Sequence, residues 1–391
     1  MLKVFLKKGR ELPVLRGHSW IFSGAVEKAH GDTEAPSTTE VFDHSGKWIA
    51  RGLSSPKSQI RVRVLTWRDE PIDRDFFRRR ILDALELRRR QPARSASAWR
   101  LVNGEGDFLP GLIVDRYGDF LVCQFLTAGI EALKAWIVEA LSELLSPKGI
   151  FERSEGRVRE EEELPPSLGV LAGEAPPERL AIEEHGFRFE VDVWRGQKTG
   201  FFLDQRDNRA FLGSLAPGER VLDCFCYSGA FSAYAYRAGA REVISVDSSG
   251  PALELARRNL ELNGLPAGDE TLIKADAFSY LKADDASFDT IVLDPPSLAH
   301  RRADAAAAAG GYKFLNLHAF RRVKPGGLLL TFSCSQHVSA DLFQKIVFGA
   351  AVDARRRVAV LKRLGQSVDH PVSLHHPEGE YLKGLALRVL N

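Results

Sequence analysis

Alternating hydrophobic and polar residues in the first 70 positions predict short β-strands. Residues 2–6 follow this pattern, and in residues 60–65 the apolar side chains share one face whereas Arg61 and Arg63 share the other. Gly, Ser and Pro residues that favour turns separate the strands. We therefore expect residues 1–70 to form a small β-barrel.

The middle of the chain, residues 71–190, combines helical and strand patterns. Apolar positions at helical spacing predict helices over residues 73–90 and 130–145, and a hairpin signal lies at residues 117–119. Residues 155–177 are charged and rich in Pro and Gly, which predicts an exposed excursion. These patterns predict a central α+β domain.

In residues 191–391 apolar strands alternate with helical stretches, which is typical of an α/β fold with a doubly wound, Rossmann-like parallel sheet. The helical stretches predicted between the strands include residues 230–238 and 252–263. The predicted strands are residues 220–223, 242–247, 271–274, 290–293 and 328–332.

The composition narrows the class of protein. The 391 residues are 44% hydrophobic and 27% charged, which excludes a disordered or collagen-like chain. The formal net charge is only +2, so any contact with nucleic acid must use a local patch. The four cysteines lack metal-site spacing and predict a reducing compartment without a bound metal. With no apolar run of about 18 residues, we expect a cytoplasmic protein that does not contact a membrane.

Three acidic residues follow successive predicted strands of the α/β region. Asp223 precedes a loop, residues 224–229, that contains a single Gly and therefore suits a pyrophosphate group poorly. The carboxylate of Asp223 instead suits a ligand that carries an amino group. Asp247 can accept both hydroxyl groups of a ribose, and Asp276 can reach an adenine amino group. One strand-end acid is commonly a helix cap. Three in succession favour S-adenosylmethionine, an adenosine that carries a charged amino acid.

These residues resemble class I S-adenosylmethionine-dependent methyltransferases, and residues 196–206, 331–335 and 378–383 resemble the ribosomal RNA large-subunit methyltransferase I family more narrowly. Residues 17–24 are similar to the start of that family's PUA RNA-binding domain. The resemblance implies S-adenosylmethionine as cofactor and a substrate in 23S ribosomal RNA or a large-subunit precursor. The implied cofactor-binding residues are Lys198, Thr199, Phe201, Asp223, Phe225, Tyr227, Ser228, Gly229, Asp247, Asp276 and Asp294.

Asp294 and Cys334 are the candidate catalytic residues. Both follow predicted strands, so they should emerge on the ligand side of the sheet. A Cys334 thiolate that adds to C6 of cytosine would activate C5 toward the methyl group, and Asp294 could hold the N3/N4 edge of the base. A lone cysteine at a strand end is more often a core residue. We interpret Cys123 as a core residue, and Cys224 and Cys226 as packing residues of the loop that make weak contacts to the ligand.

The sequence differs at one position from many RNA cytosine-C5 methyltransferases, and two other functions stay open. Ser297 stands where many RNA cytosine-C5 methyltransferases carry a second cysteine, so the base that removes the C5 proton is unidentified. Asp-Pro-Pro sequences also occur in methyltransferases of exocyclic amines, which makes N2-methylation of guanine the second interpretation. The third is an RNA-binding protein without turnover. The sequence leaves open whether the chain forms a homodimer.

Basic residues in the predicted N-terminal barrel are candidates for gripping the RNA backbone. They are Lys3, Lys7, Lys8, Arg10, Arg16, Arg61 and Arg63.

Overall fold

A computed structural model describes residues 1–90, 96–216, 218–283, 286–299 and 301–391. The chain divides into two compact units, each assembled from three segments. The first unit contains Met1–Ile182, Asp192–Phe201 and Val368–Gly379. The second contains Glu183–Val191, Phe202–Ser367 and Glu380–Asn391. The boundaries proposed near residues 70 and 190 stay predictions of the sequence.

The N-terminal part of the first unit is a six-stranded sheet with the strand order β2-β6-β5-β4-β1-β3. β1 and β4 run parallel, and their side chains at Val4 and Val41 are fully buried in the core. The elements are β1 (Leu2–Leu6), α1 (Leu12–Leu15), β2 (Trp20–Phe22), β3 (Val26–His30), β4 (Thr38–Phe42), β5 (Trp48–Ser54) and β6 (Ile60–Thr66). The strands predicted at both ends of this region are confirmed.

The side chain of Arg63 on β6 is buried and does not face solvent. The prediction that Arg63 contacts the RNA backbone is therefore wrong. The residue is 6% exposed, and its guanidinium donates to Glu162 Oε1 at 2.8 Å and to Ser55 Oγ at 3.1 Å. β6 is covered on both faces, because Val62 and Val64 pack in the N-terminal core while Arg63 meets Glu162.

The remainder of the first unit is built around a second sheet with the order β11-β10-β9-β8-β7. β9 and β10 are parallel and the other pairs are antiparallel. Its strands are β7 (Ala98–Asn103), β8 (Leu112–Tyr117), β9 (Phe120–Phe125), β10 (Gly149–Ser154) and β11 (Ser167–Gly173), and its helices are α2 (Arg74–Arg89), α3 (Ala128–Ala132), α4 (Lys134–Leu145) and α5 (Arg157–Glu161).

Most residues of the segment 155–177 are exposed, as expected, and the segment contains α5 and the edge strand β11. Arg159 is buried and donates to Glu131 Oε2 at 2.7 Å, and Glu162 is paired with Arg63. The charges of Arg159 and Glu162 are therefore neutralised by partners that lie far away in the sequence, although the sequence pattern predicted that they would be exposed.

α2 begins at a side-chain cap and ends near a buried ion pair. The carboxylate of Asp73 accepts the Phe76 N–H at 2.8 Å, which satisfies one of the free donors of the first turn. In the last turn Arg88 forms a two-pronged pair with Asp107 and also donates to the backbone carbonyl of Asp369 at 2.8 Å. Arg88 thereby fixes the segment Val368–Gly379 against α2.

The second unit contains a seven-stranded sheet with the order β16-β15-β14-β17-β18-β20-β19. Its strands are β13 (Phe187–Val191), which lies outside that sheet, and β14 (Arg220–Cys224), β15 (Glu242–Asp247), β16 (Leu272–Lys274), β17 (Phe288–Leu293), β18 (Val323–Ser333), β19 (Val358–Gly365) and β20 (Lys383–Val389). Its helices are α6 (Arg206–Gly213), α7 (Ala230–Arg237), α8 (Gly250–Leu262), α9 (Ala277–Ala283), α10 (Ala305–Arg322) and α11 (Ala340–Asp353).

The five strands from β14 to β18 are parallel, and the strand–helix alternation predicted for them is confirmed. The sheet order reverses between β14 and β17, so the carboxyl ends of these two strands form the crevice where a doubly wound fold binds its ligand. The sequence did not predict β19 and β20, which add two antiparallel strands at one edge. β12 (Leu180–Glu184) and β13 form a two-stranded sheet. Within the described ranges, no helix has the length and apolarity to cross a membrane.

The buried pair of Arg63 and Glu162 yields a stability prediction. Replacing Arg63 by Ala leaves the Glu162 carboxylate buried without its counter-charge, so we expect a loss of about 3 kcal/mol in the free energy of unfolding. Urea unfolding followed by circular dichroism measures this loss. Lys3→Ala, at a side chain that is 51% exposed, should change the same value by less than about 0.5 kcal/mol. Equal effects of the two variants would contradict the burial argument.

Candidate active site

The loop after β14 has an unusual backbone that brings it against the end of β15. Phe225, Tyr227 and Gly229 have φ angles of +63°, +46° and +70°. A Cβ at position 229 would lie 2.9 Å from the Cβ of Ala256, so this position needs glycine for space as well as for its left-handed conformation. The N–H of Tyr227 donates to Asp247 Oδ2 at 3.0 Å. The predicted loop residues and the second strand-end acid are therefore in direct contact.

Asp223 is a carboxylate without enough neighbours to stabilise its charge. It is 1% exposed, and its Oδ2 accepts the hydroxyl proton of Ser232 at 2.7 Å. Oδ1 is buried, and none of the described residues hydrogen bonds to it. Burial, reinforced by the negative charges of Asp294 and Asp247, raises the pKa of Asp223 to about 7. A bound cation would supply the missing partner, which is the ligand chemistry predicted for this position.

The other two strand-end acids differ in their surroundings. Asp247 accepts the Ser249 N–H through Oδ1 at 2.9 Å and the Tyr227 N–H through Oδ2, so its carboxylate is held rigidly at the end of β15. Asp276 is exposed and accepts both the N–H and the hydroxyl of Ser279. These are the contacts of an ordinary helix cap at the start of α9. The ribose and adenine roles of the two acids stay predictions.

Lys198, Thr199 and Phe201 belong to the first unit, where a buried hydrogen-bond chain orders their segment. Phe201 N–H donates to the Tyr117 hydroxyl at 3.2 Å, and Tyr117 is 2.8 Å from the Thr199 hydroxyl, which donates to Asp115 Oδ2 at 2.6 Å. Arg100 closes the chain with two hydrogen bonds to Asp115. Lys198 adopts a left-handed φ of +53° beside this chain. These hydrogen bonds hold the segment against β8, and its predicted cofactor contacts stay predictions.

Cys334 and the Asp294-Pro295-Pro296 segment lie together in the second unit. Cys334 follows β18 and is partly exposed, and its Sγ is 3.8 Å from the backbone carbonyl oxygen of Pro295. The neighbouring Ser335 hydroxyl accepts the N–H groups of Leu298 and Ala299 at 3.1 Å each. The two candidate catalytic segments are therefore adjacent, as their parallel strands predict.

The other three cysteines are buried, as predicted. Burial raises the pKa of the thiols of Cys123, Cys224 and Cys226 well above the ordinary value, which keeps them protonated. Cys334 is the one cysteine of the four that is open to a reactant.

Lys383, at the start of β20, is a neighbour of Cys334 that was not predicted as a site residue. It is 5% exposed, and its ammonium group donates to the carbonyl oxygens of Ser335 at 2.6 Å and Tyr381 at 2.7 Å. Burial lowers the pKa of Lys383 to about 8. In the sequence, Lys383 is the last residue of the family-like segment 378–383 and precedes an apolar stretch, residues 384–387.

His18, His376 and Glu378 form a cluster in the first unit whose side-chain nitrogen and oxygen atoms lie within 4.8 Å of one another. The Trp20 N–H donates to Nδ1 of His18 at 3.2 Å, which places the proton of a neutral ring on Nε2. Nε2 then donates to Glu378 at 3.3 Å instead of offering a lone pair to a metal. We therefore interpret the cluster as a hydrogen-bonded contact between β2 and the segment Val368–Gly379.

Two protein-family models match the chain. One, described as a PUA-like domain, matches residues 4–67, and the other, described as an S-adenosylmethionine-dependent methyltransferase, matches residues 100–364. These matches confirm the predicted class I methyltransferase fold with a PUA-like N-terminal domain, and S-adenosylmethionine as the cofactor.

Curated relatives match over nearly the full length. Ribosomal RNA large subunit methyltransferase I of Tolumonas auensis is 48% identical over 393 residues, which cover 99% of each protein. The protein of the same name from Erwinia tasmaniensis is 45% identical over 394 residues, and this match covers 100% of both chains. Among solved structures, a proposed methyltransferase from Streptococcus mutans superposes with a TM-score of 0.85 at 23% identity over all of both chains. A second solved structure of a proposed methyltransferase, in complex with S-adenosylhomocysteine, superposes with a TM-score of 0.87 at 23% identity over all of both chains.

The raised pKa of Asp223 predicts pH-dependent cofactor binding. A cationic amino group stabilises the ionised carboxylate, so below about pH 7 binding must release a proton and should weaken by up to about tenfold per pH unit. Above pH 7 the affinity should level off. Isothermal titration calorimetry with S-adenosylmethionine from pH 5.5 to 8.5 measures this dependence.

Asp223→Asn should bind the cofactor more weakly and without this pH dependence. Asp341→Asn, at an exposed residue of α11, is the matched control and should keep the wild-type profile. A pH-independent affinity in the wild type would contradict the assignment of Asp223.

Proposed function

Because the chain belongs to the ribosomal RNA large subunit methyltransferase I family, we propose that it methylates carbon 5 of a cytosine in 23S ribosomal RNA. The observation that carries the proposal is the position of Cys334. It is the one partly exposed cysteine, and it lies 3.8 Å from the Pro295 carbonyl in the segment that begins with Asp294. The proposed substrate is free 23S RNA or a large-subunit precursor in the cytoplasm.

S-adenosylmethionine supplies an electrophilic methyl group when it is bound. The unpartnered oxygen of Asp223 suits its amino group, and Asp247 and Asp276 are proposed to hold the ribose and the adenine. The tight loop that contains Phe225, Tyr227, Ser228 and Gly229 would close around the ligand. Lys198, Thr199 and Phe201 are proposed as cofactor-binding residues because residues 196–206 resemble the family.

The proposed reaction uses Cys334 as a nucleophile. Its thiolate adds to C6 of the cytosine, which moves electrons toward N3 and makes C5 nucleophilic. Asp294 is proposed to hold the N3/N4 edge and to favour that charge. C5 then takes the methyl group, a base removes the C5 proton, and the bond between sulfur and C6 breaks to restore the ring. Asp294 or a water molecule is the proposed base.

Replacing Cys334 by Ala should abolish formation of 5-methylcytosine while S-adenosylmethionine still binds, because Cys334 acts on the base. Nucleoside mass spectrometry of unmodified large-subunit RNA after incubation measures the product. Cys123→Ala, which changes a buried cysteine of the first unit, is the control and should keep most of the activity. Full activity of the Cys334 variant, or methylated guanine as the product, would favour an exocyclic-amine methyltransferase instead. No product from the wild type would favour an RNA-binding protein without turnover.

We also propose that the PUA-like domain binds the RNA backbone through its exposed basic residues. Replacing Lys3, Lys7 and Lys8 together by Ala should weaken RNA binding and reduce its salt dependence by roughly one unit of slope for each phosphate that the domain no longer neutralises. Binding of S-adenosylmethionine should not change. Fluorescence anisotropy at several salt concentrations measures the effect, with the exposed Lys345 as the control position. Equal loss of RNA and cofactor binding would contradict this division of roles.

A further inference from the structure

Lys383 is positioned beside Cys334 by the pairing of two strands. β18 and β20 are antiparallel, and Ser333, the last residue of β18, is paired with Lys383, the first residue of β20. Cys334 is the next residue after that pair. The Lys383 ammonium group donates to the carbonyl oxygen of Ser335, the residue that follows Cys334. Lys383 therefore contacts the backbone on both sides of Cys334, through strand pairing with Ser333 and through this hydrogen bond.

We propose that Lys383 is a positioning residue that holds Cys334 in its thiolate form through the positive charge of its ammonium group. The inference rests on the proposed function, because it assigns a partner to the nucleophile of that reaction. An ammonium group next to a thiol favours the charged sulfur, which is the reactive species. Among the described residues its two hydrogen bonds go to carbonyl oxygens, so two of the three N–H groups of the ammonium are used and the third is available to another acceptor.

The charge state of Lys383 fits this role. Burial lowers the pKa of its ammonium group, whereas the charges of Cys334 and Glu380 raise it, and the value of about 8 leaves the group mostly protonated at pH 7. Two carbonyl acceptors stabilise the protonated form further. Lys383 is therefore available as a cation while the substrate is bound.

The other groups around Cys334 do not compete for this role. Tyr312 of α10 lies 2.8 Å from the Ser335 hydroxyl, and burial together with the charge of Cys334 raises the pKa of its phenol, so it stays neutral. Asp294, which precedes Pro295, has an acidic side chain and supplies no positive charge that could stabilise a thiolate. Among these groups, only Lys383 can favour ionisation of the thiol.

The test measures the thiolate directly, without RNA. The rate at which iodoacetamide alkylates Cys334 is followed by peptide mass spectrometry from pH 5.5 to 9.5. The midpoint should lie below the ordinary thiol value of about 8.5 in the wild type. In Lys383→Met, which keeps an unbranched side chain as far as the ε position but removes the ammonium group and its charge, the midpoint should rise by about one pH unit or more. Lys362→Met changes an exposed lysine of β19 and should leave the midpoint unchanged.

Two results would overturn the inference. One is a wild-type midpoint at or above the ordinary value, which needs no variant and therefore holds even if Lys383→Met does not fold. The other is an equal midpoint in the wild type and in a folded Lys383→Met protein that still binds S-adenosylmethionine. The identity of the methylated nucleoside tests the proposed function separately, so failure of one experiment is distinguishable from failure of the other.

A pH profile of methyl transfer provides the second readout. If Lys383 acts through the thiolate, Lys383→Met should lose activity at pH 7 and regain part of it at pH 9, where the thiol ionises without help. A uniform loss at both pH values would indicate a purely structural role and would overturn the inference.

Discussion

The candidate site depends on the hydrogen bonds that the Ser335 hydroxyl group accepts. It accepts two backbone N–H groups from the loop after β17 while it belongs to the segment that leaves β18. It also lies within 3.1 Å of the Ser297 hydroxyl. Parallel strands bring their carboxyl ends to one edge of the sheet but do not fix the loops beyond them. This buried hydroxyl joins the two loops and so fixes the distance between Cys334 and Pro295.

Burial of charge is the second constraint on the second unit. Asp223 and Lys383 both lie out of contact with solvent, and burial moves the pKa of each toward neutrality, upward for the carboxyl and downward for the ammonium group. A structure selected for stability alone would replace such groups by apolar residues or pair them completely. Their incomplete neutralisation is typical of a functional site, where a ligand or a reacting atom supplies the remaining partner.

The sequence predicted the features that are local in the chain. The strand–helix alternation, the acids at the strand ends, the loop before α7 and the adjacency of Cys334 to the Asp294 segment all follow from periodicity and from the geometry of parallel sheets. Burial of Arg63 was missed because its partner, Glu162, lies 99 residues away. Lys383 was missed because its place beside Cys334 depends on the antiparallel pairing of β20 with β18, which periodicity cannot distinguish from parallel pairing.

The pair of Arg88 and Asp369 spans 281 residues of sequence within one unit. A ribosome makes the chain from the N-terminus, so the helix that carries Arg88 emerges long before its partner segment Val368–Gly379 is made. The first unit therefore cannot reach its final packing during synthesis until the segment Val368–Gly379 has been made. Until then the guanidinium of Arg88 lacks the carbonyl oxygen of Asp369 as an acceptor, so this unit is completed only after the intervening segment Phe202–Ser367 of the second unit has been synthesised.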